Sequence, residues 1–167
     1  MAYQRLTIVI RPWLATGARL VLAVVFALAG WAKVSDLAGS GRAVNAYQLM
    51  PFGVAKVIGA ALPFVELALA VLLLVGLATR LAAGFAAGLL TVFLVGISSV
   101  WARGLSIDCG CFGGGGQLAA GAHPNYFWDL VRDLALLALA VFLFLTPRTP
   151  VSVDNYVLGT TADEGAA

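Results

Sequence analysis

The two cysteines of the chain stand one residue apart, in the segment SIDCGCFGGGG at residues 106–116. Gly110 separates Cys109 from Cys111. A disulfide between cysteines this close in sequence closes a small ring that departs from relaxed geometry, and strain makes such a bond easier to reduce. Because the closed loop is short, the bond would constrain the unfolded chain very little. The spacing therefore favours an exposed, exchangeable redox dithiol.

Two other interpretations of the cysteines stay open at this point. Cys109, Cys111 and His123, with Asp108 beside them, contain the atom types of a metal site, but structural sites normally space paired ligands by two to four residues and use more than one such pair. We therefore predict no metal. The thiols could also be inert and structural.

The composition places these thiols in a membrane protein. The chain is 62% hydrophobic and 11% charged, with a mean hydropathy of +0.98. A soluble domain carries about a quarter charged residues, and a domain of 167 residues keeps much of its surface in water. The net charge of +2 is too small to indicate a nucleic-acid partner. We expect the lipid bilayer as the solvent.

Four apolar segments have the length of about 20 residues that a membrane-spanning helix needs. The predicted spans are residues 13–34, 55–78, 81–101 and 126–145. The predicted fold is all-α, a transmembrane four-helix bundle over residues 13–146. The flanking parts are a polar segment at 1–12, a redox loop at 102–125 and a disordered tail at 147–167.

The arginines before the middle of the first span predict the orientation. Four spans place both termini on one side, and the positive residues divide equally between the two sides. Arg5, Arg11 and Arg19 precede the centre of the first span, which usually dominates. We expect cytoplasmic termini and an extracytoplasmic cysteine loop.

Charged residues inside the spans predict a polar interior. Glu66 lies near the middle of the second span, where an ionised carboxylate is costly unless it is paired or wetted. We expect Arg19 to pair with it. Such a pair could fix the register of the helices, or the carboxylate could belong to a proton or quinone site.

The fourth span opens with WDLVRD at residues 128–133, which adds further charges to this interior. Asp129 and Asp133 share one helix face. Asp133 lies one turn deeper and needs a partner, either Arg132 or Lys33. Lys33 ends the first span and could instead extend its amine to the interface.

The rest of the chain limits the route that electrons can take. One histidine cannot ligate several haems, and no dinucleotide fingerprint is present. A single dithiol cannot relay electrons through the membrane by itself. We expect it to exchange with a soluble thiol on its own side, with a lipid-soluble quinone as the candidate acceptor.

Four segments together resemble the MauE/DoxX family of redox-associated membrane proteins, and the MauE side within it. They are RLVLAVVFALAGWAKVSD at 19–36, LPFVELALAVLLLVGLATR at 62–80, CGCFG at 109–113 and LVRDLALLALA at 130–140. The resemblance implies a four-helix bundle in the bacterial plasma membrane with a part in thiol–disulfide chemistry. MauE is tied to maturation of methylamine dehydrogenase, alongside a thioredoxin-like companion.

The functional prediction combines these observations. Cys109 and Cys111 would exchange disulfides with an extracytoplasmic thioredoxin-fold protein, coupled to quinone, which would make the chain a thiol–disulfide oxidoreductase. The alternative is a non-catalytic scaffold that anchors a redox enzyme complex. The predicted supporting residues are Arg19, Lys33, Glu66, Arg132 and Asp133.

Overall fold

A computed structural model of the chain describes residues 2–111, 115–118, 124–146 and 152–154. The helices are α1 (Ala2–Val34), α2 (Leu37–Ala46), α3 (Phe52–Val75), α4 (Thr79–Ala102) and α5 (Tyr126–Leu145). Two short strands, β1 (Ile107–Asp108) and β2 (Gly116–Gln117), form an antiparallel pair between α4 and α5.

The four long helices form a bundle, which confirms the predicted all-α fold. α1 packs mainly on α3, and α4 packs mainly on α5. Small and aliphatic side chains such as Leu22, Leu73, Ala83 and Leu143 fill the interior. The outward faces carry many exposed valines, leucines and phenylalanines. A surface this apolar is stable against lipid and unfavourable in water.

Within the described residues, three helices are long and apolar enough to cross a membrane, by length and composition. They are Arg11–Val34, Phe52–Val75 and Thr79–Ala102. α5 has 20 residues but carries Asp129, Arg132 and Asp133 in its first two turns. A fourth crossing therefore stays a prediction.

Helical structure extends further at the N-terminus than the sequence predicts. α1 begins at Ala2 and contains Pro12, so the helix that carries the first predicted span also includes residues 2–12.

The connection between the first two predicted spans contains a helix that the sequence analysis missed. Asp36 caps the N-terminus of α2, since its Oδ1 accepts a hydrogen bond from the Gly39 amide at 2.7 Å. α2 lies against α3 at Gly59, where a Cβ atom would come within 2.5 Å of the Ser40 carbonyl oxygen and 2.6 Å of the Gly41 Cα. The missing side chain at Gly59 lets the two backbones touch.

A short part of the C-terminal tail is ordered against the bundle. The Asp154 carboxylate accepts hydrogen bonds from the Ala78 and Thr79 amides, both at 2.7 Å, and so caps α4. Burial alone would raise the pKa of Asp154, but these amide donors and the nearby charge of Arg19 lower it below its usual value. Residues 152–154 are therefore not the disordered end that the sequence predicts. Residues 147–151 and 155–167 lie outside the described part.

Candidate redox site

The cysteines lie at the tip of the β1–β2 hairpin, and Tyr126 fixes the base of that hairpin. Ile107 pairs with Gln117, and Asp108 pairs with Gly116. The Tyr126 hydroxyl donates a hydrogen bond to the Leu105 carbonyl at 2.5 Å and accepts one from the Ile107 amide at 2.9 Å. The first residue of α5 thereby holds the chain that leads into the cysteine pair.

The other side of the cysteine pair rests on the end of α2. The Tyr47 hydroxyl donates a hydrogen bond to the Cys109 carbonyl at 2.9 Å. Burial and the neighbouring thiols raise the pKa of Tyr47, so this hydroxyl keeps its proton. The Arg103 guanidinium donates to the Tyr47 carbonyl at 2.5 Å and ties it to the end of α4. Sequence reasoning missed Tyr47, since only the unpredicted helix α2 brings it to the loop.

Gly110 allows the cysteine loop to pack closely against α2. Its φ of +67° is in the left-handed region that favours glycine, and a Cβ there would come within 3.0 Å of the Ala43 Cβ. A side chain at this position would lift the cysteines away from the bundle.

Both cysteines are free thiols, and the pair is less exposed than the sequence predicts. Cys109 is half-buried, whereas Cys111 is only 8% exposed. The expectation of an open, exposed loop is therefore wrong for Cys111. Cys109 is the more exposed of the two thiols.

The two thiols have opposite acidities. The hydrogen bond with Cys111 lowers the pKa of Cys109 below that of an ordinary thiol, against the opposing effect of burial, and a hydrogen bond from Arg132 adds to the lowering. The same thiol–thiol hydrogen bond, together with burial, raises the pKa of Cys111. Because the thiolate is the reactive form of a cysteine, this arrangement favours Cys109 as the sulfur that carries the negative charge and Cys111 as the thiol that keeps its proton.

Alkylation by N-ethylmaleimide as a function of pH tests this assignment. A free cysteine has a pKa of about 8.5. We expect the rate at Cys109, assigned by mass spectrometry, to reach half its maximum at a lower pH. Cys111→Ala removes the hydrogen bond that stabilises the thiolate, and so should move that midpoint upward. An unchanged midpoint in this variant would contradict the assignment.

Arg132 and Asp133 lie directly below the thiols. The Arg132 Nε donates a hydrogen bond to the Asp133 Oδ1 at 2.9 Å, and the Asp133 residue is 2% exposed. Arg132 also pairs with Asp129 at 3.2 Å. Of the two partners predicted for Asp133, the structure selects Arg132. The guanidinium supplies the positive charge that a thiolate at Cys109 requires.

Lys33 and Glu66 form the second buried ion pair. The Lys33 Nζ lies 2.5 Å from the Glu66 Oε1, and the two residues are 4% and 0% exposed. The amine also lies 5.6 Å from the centre of the Phe93 ring, where the ring face attracts a cation. Lys33 therefore lies in the polar interior, and the alternative in which it extends to the interface does not apply. Glu66 has a different partner from the predicted Arg19.

Arg19 lies beside the C-terminal end of α3, away from this pair. Its guanidinium packs over Gly76, next to Ser152, and its charge acts on Asp154. Arg19 is buried, as expected of a residue of the polar interior, but the structure does not bring it to Glu66 or to the cysteines.

A cavity of about 220 Å³ adjoins the thiol pair. Its lining includes Cys109, Gly110 and Cys111 together with Lys33 and Phe93, and the rest is mostly aliphatic. A smaller void of about 20 Å³ contacts Cys111, Asp133, Arg132, Glu66 and Phe93. The two ion pairs and the thiols thus belong to one polar region within an apolar bundle.

Within the described residues, no group of three or more His, Cys, Asp or Glu side chains could hold a metal ion. His123, the third ligand of the alternative metal site, lies outside the described residues.

An all-helical bundle with lipid-compatible outer faces, three helices of membrane-spanning character and a buried charged interior defines an integral membrane protein. The family model described as "Methylamine utilisation protein MauE" matches residues 11–146, which is most of the chain. The chain therefore belongs to the MauE family, whose description connects it with methylamine utilisation. The DoxX part of the resemblance stays a prediction. No curated protein and no solved structure matches the chain significantly.

Proposed function

We propose that the chain is a membrane thiol–disulfide redox protein whose Cys109/Cys111 pair exchanges disulfides with a thioredoxin-fold protein outside the cytoplasm. The observation that carries the proposal is the asymmetry of the pair. One half-buried thiol has a lowered pKa beside Arg132, and its hydrogen-bond partner is buried.

The asymmetry suits an exchange in which the pair oxidises its partner. A partner thiolate attacks the Cys109 sulfur of the Cys109–Cys111 disulfide, and the S–S bond breaks with the electron pair leaving on Cys111, which takes up a proton. The second partner thiolate then attacks the partner sulfur of the mixed disulfide and displaces Cys109. The partner leaves as a disulfide, and the cysteine pair is left reduced.

The second displacement is the step that the site favours. A sulfur of lower pKa leaves faster, and the hydrogen bonds from Cys111 and Arg132 stabilise the Cys109 thiolate as it departs. The two electrons of the reduced pair then pass to an acceptor in the membrane.

Trapping the mixed disulfide tests the proposal. Cys111→Ser should accumulate a covalent adduct in cells that joins Cys109 to an active-site cysteine of a thioredoxin-fold protein, as identified by mass spectrometry. Cys109→Ser is the matched control and should give none. An extracytoplasmic partner in the adduct would also fix the side of the membrane on which the loop lies. If the partner stays associated when both cysteines are serine and no adduct forms, the chain is a scaffold.

A further inference from the structure

The cavity beside the cysteines opens toward lipid. Three exposed aliphatic residues lie on its rim: Leu49 between α2 and α3, Ile58 on α3 and Val92 on α4. Ile58 and Val92 belong to helices that have membrane-spanning character. A molecule that enters the cavity between Ile58 and Val92 comes from the bilayer, so the occupant must be lipid-soluble.

The lining of the cavity is mostly apolar, but it includes both thiols of the cysteine pair. The Tyr47 ring packs against Gly96 on α4 and forms the part of the lining next to the cysteine loop. Lys33 also contributes to the lining, but its amine is already paired with Glu66. The groups that an occupant would meet and react with are therefore the thiols of Cys109 and Cys111. A flat, lipid-soluble ring that accepts electrons matches both the apolar lining and the adjacent dithiol.

The size of the cavity fits one ring. An apolar cavity of about 150 Å³ is large enough to bind benzene, and the cavity here measures about 220 Å³. The extra volume accommodates ring substituents, and the opening toward lipid leaves room for a long tail outside.

We infer that this cavity binds the head group of a lipid-soluble quinone, which takes up the electrons of the Cys109/Cys111 dithiol. The inference rests on the proposed function and supplies its electron acceptor. The two thiols lose two electrons and two protons and form one S–S bond. The quinone gains both electrons and both protons and becomes the hydroquinone. The reoxidised pair is then ready for its next protein partner.

Val92 and Val95 provide a matched pair of variants. Both are on α4, and they are 65% and 63% exposed, but only Val92 lines the cavity. Val92→Trp places a large ring at the cavity entrance. Val95→Trp places the same ring on the lipid-facing surface one turn away.

The experiment uses the reduced protein in quinone-free nanodiscs under anaerobic conditions, with decylubiquinone as the probe. The ring of this quinone is fully substituted, so it cannot form a stable thioether at a ring C–H position. We expect one hydroquinone for each cysteine pair oxidised, a rate at least tenfold lower in Val92→Trp, and an unchanged rate in Val95→Trp.

Two results would overturn the inference. One is that the unmodified protein does not reduce decylubiquinone, as expected if a lipid chain fills the cavity. The other is equal rates in the two tryptophan variants. In either case a Cys111→Ser adduct with a thioredoxin-fold protein would leave the proposed function intact. Failure to form that adduct would instead remove the proposed function itself.

Discussion

Replacing Lys33 by methionine should lower the free energy of unfolding by about 3–5 kcal/mol, the usual cost of removing one partner of a buried ion pair. The variant leaves the fully buried Glu66 carboxyl without its cation, and the Glu66 Oε2 already has no hydrogen-bond partner among the described residues. Titration of the purified protein with sodium dodecyl sulfate in mixed micelles measures the change.

A double variant separates the charge effect from lost packing. Lys33→Met combined with Glu66→Leu removes both charges and keeps a similar side-chain volume. It should be about as stable as the unmodified protein or more stable, because hydrophobic replacement of a whole buried pair is often neutral or favourable.

The exposed Asp36–Arg42 pair is the control. Arg42→Ala should cost at most about 1 kcal/mol, since solvent weakens such pairs. If Lys33→Met costs no more than Arg42→Ala, the two buried groups do not stabilise each other as ions.

The second large effect is expected at Gly59. Gly59→Ala inserts a methyl group within 2.5 Å of the Ser40 carbonyl oxygen and 2.6 Å of the Gly41 Cα, so α2 must move away from α3. Overpacking of this kind costs about 1–3 kcal/mol, although alanine is favoured over glycine within a helix by up to about 1 kcal/mol.

Gly88→Ala on α4 has the same change in helix propensity without the collision, since a Cβ at Gly88 meets nothing within 4 Å. It should be neutral or slightly stabilising. Because the gain in helix propensity is the same in both variants, we expect their unfolding free energies to differ by the overpacking cost of about 1–3 kcal/mol. Equal stabilities would show that α2 can move away from α3 at no cost.

Because α2 carries Tyr47, Gly59→Ala should also raise the rate at which maleimide labels Cys111.

The sequence was sufficient to predict the lipid environment, the helical bundle and the cysteine pair. Long apolar runs determine these features locally, so no knowledge of the packing is needed. The charges near the start of α5 indicated that Asp133 needs a partner but left Arg132 and Lys33 as candidates, and the structure selects Arg132.

The partner of Glu66 could not be predicted, because it depends on the register of α1 against α3. Gly30 faces Pro63 across that interface, and Lys33 therefore reaches Glu66. Arg19 precedes Gly30 by 11 residues on α1, which is roughly 16 Å along the helix at 1.5 Å per residue. In this register Arg19 is therefore far from Glu66. The short helix α2 connects α1 to α3 and packs on α3. Its glycines and polar residues give only a weak helical pattern, so the sequence predicts a plain connection there.

The cap that Asp154 places on α4 lies eight residues beyond the last residue that the family model matches. A truncated protein that ends at residue 146 would keep every family-matching residue but lose the acceptor for the Ala78 and Thr79 amides. The turn between the lipid-embedded helices α3 and α4 would then expose these two backbone amides without their acceptor. The shortest chain that is as stable as the full-length protein must therefore include Asp154, which lies beyond residue 146, the end of the family match.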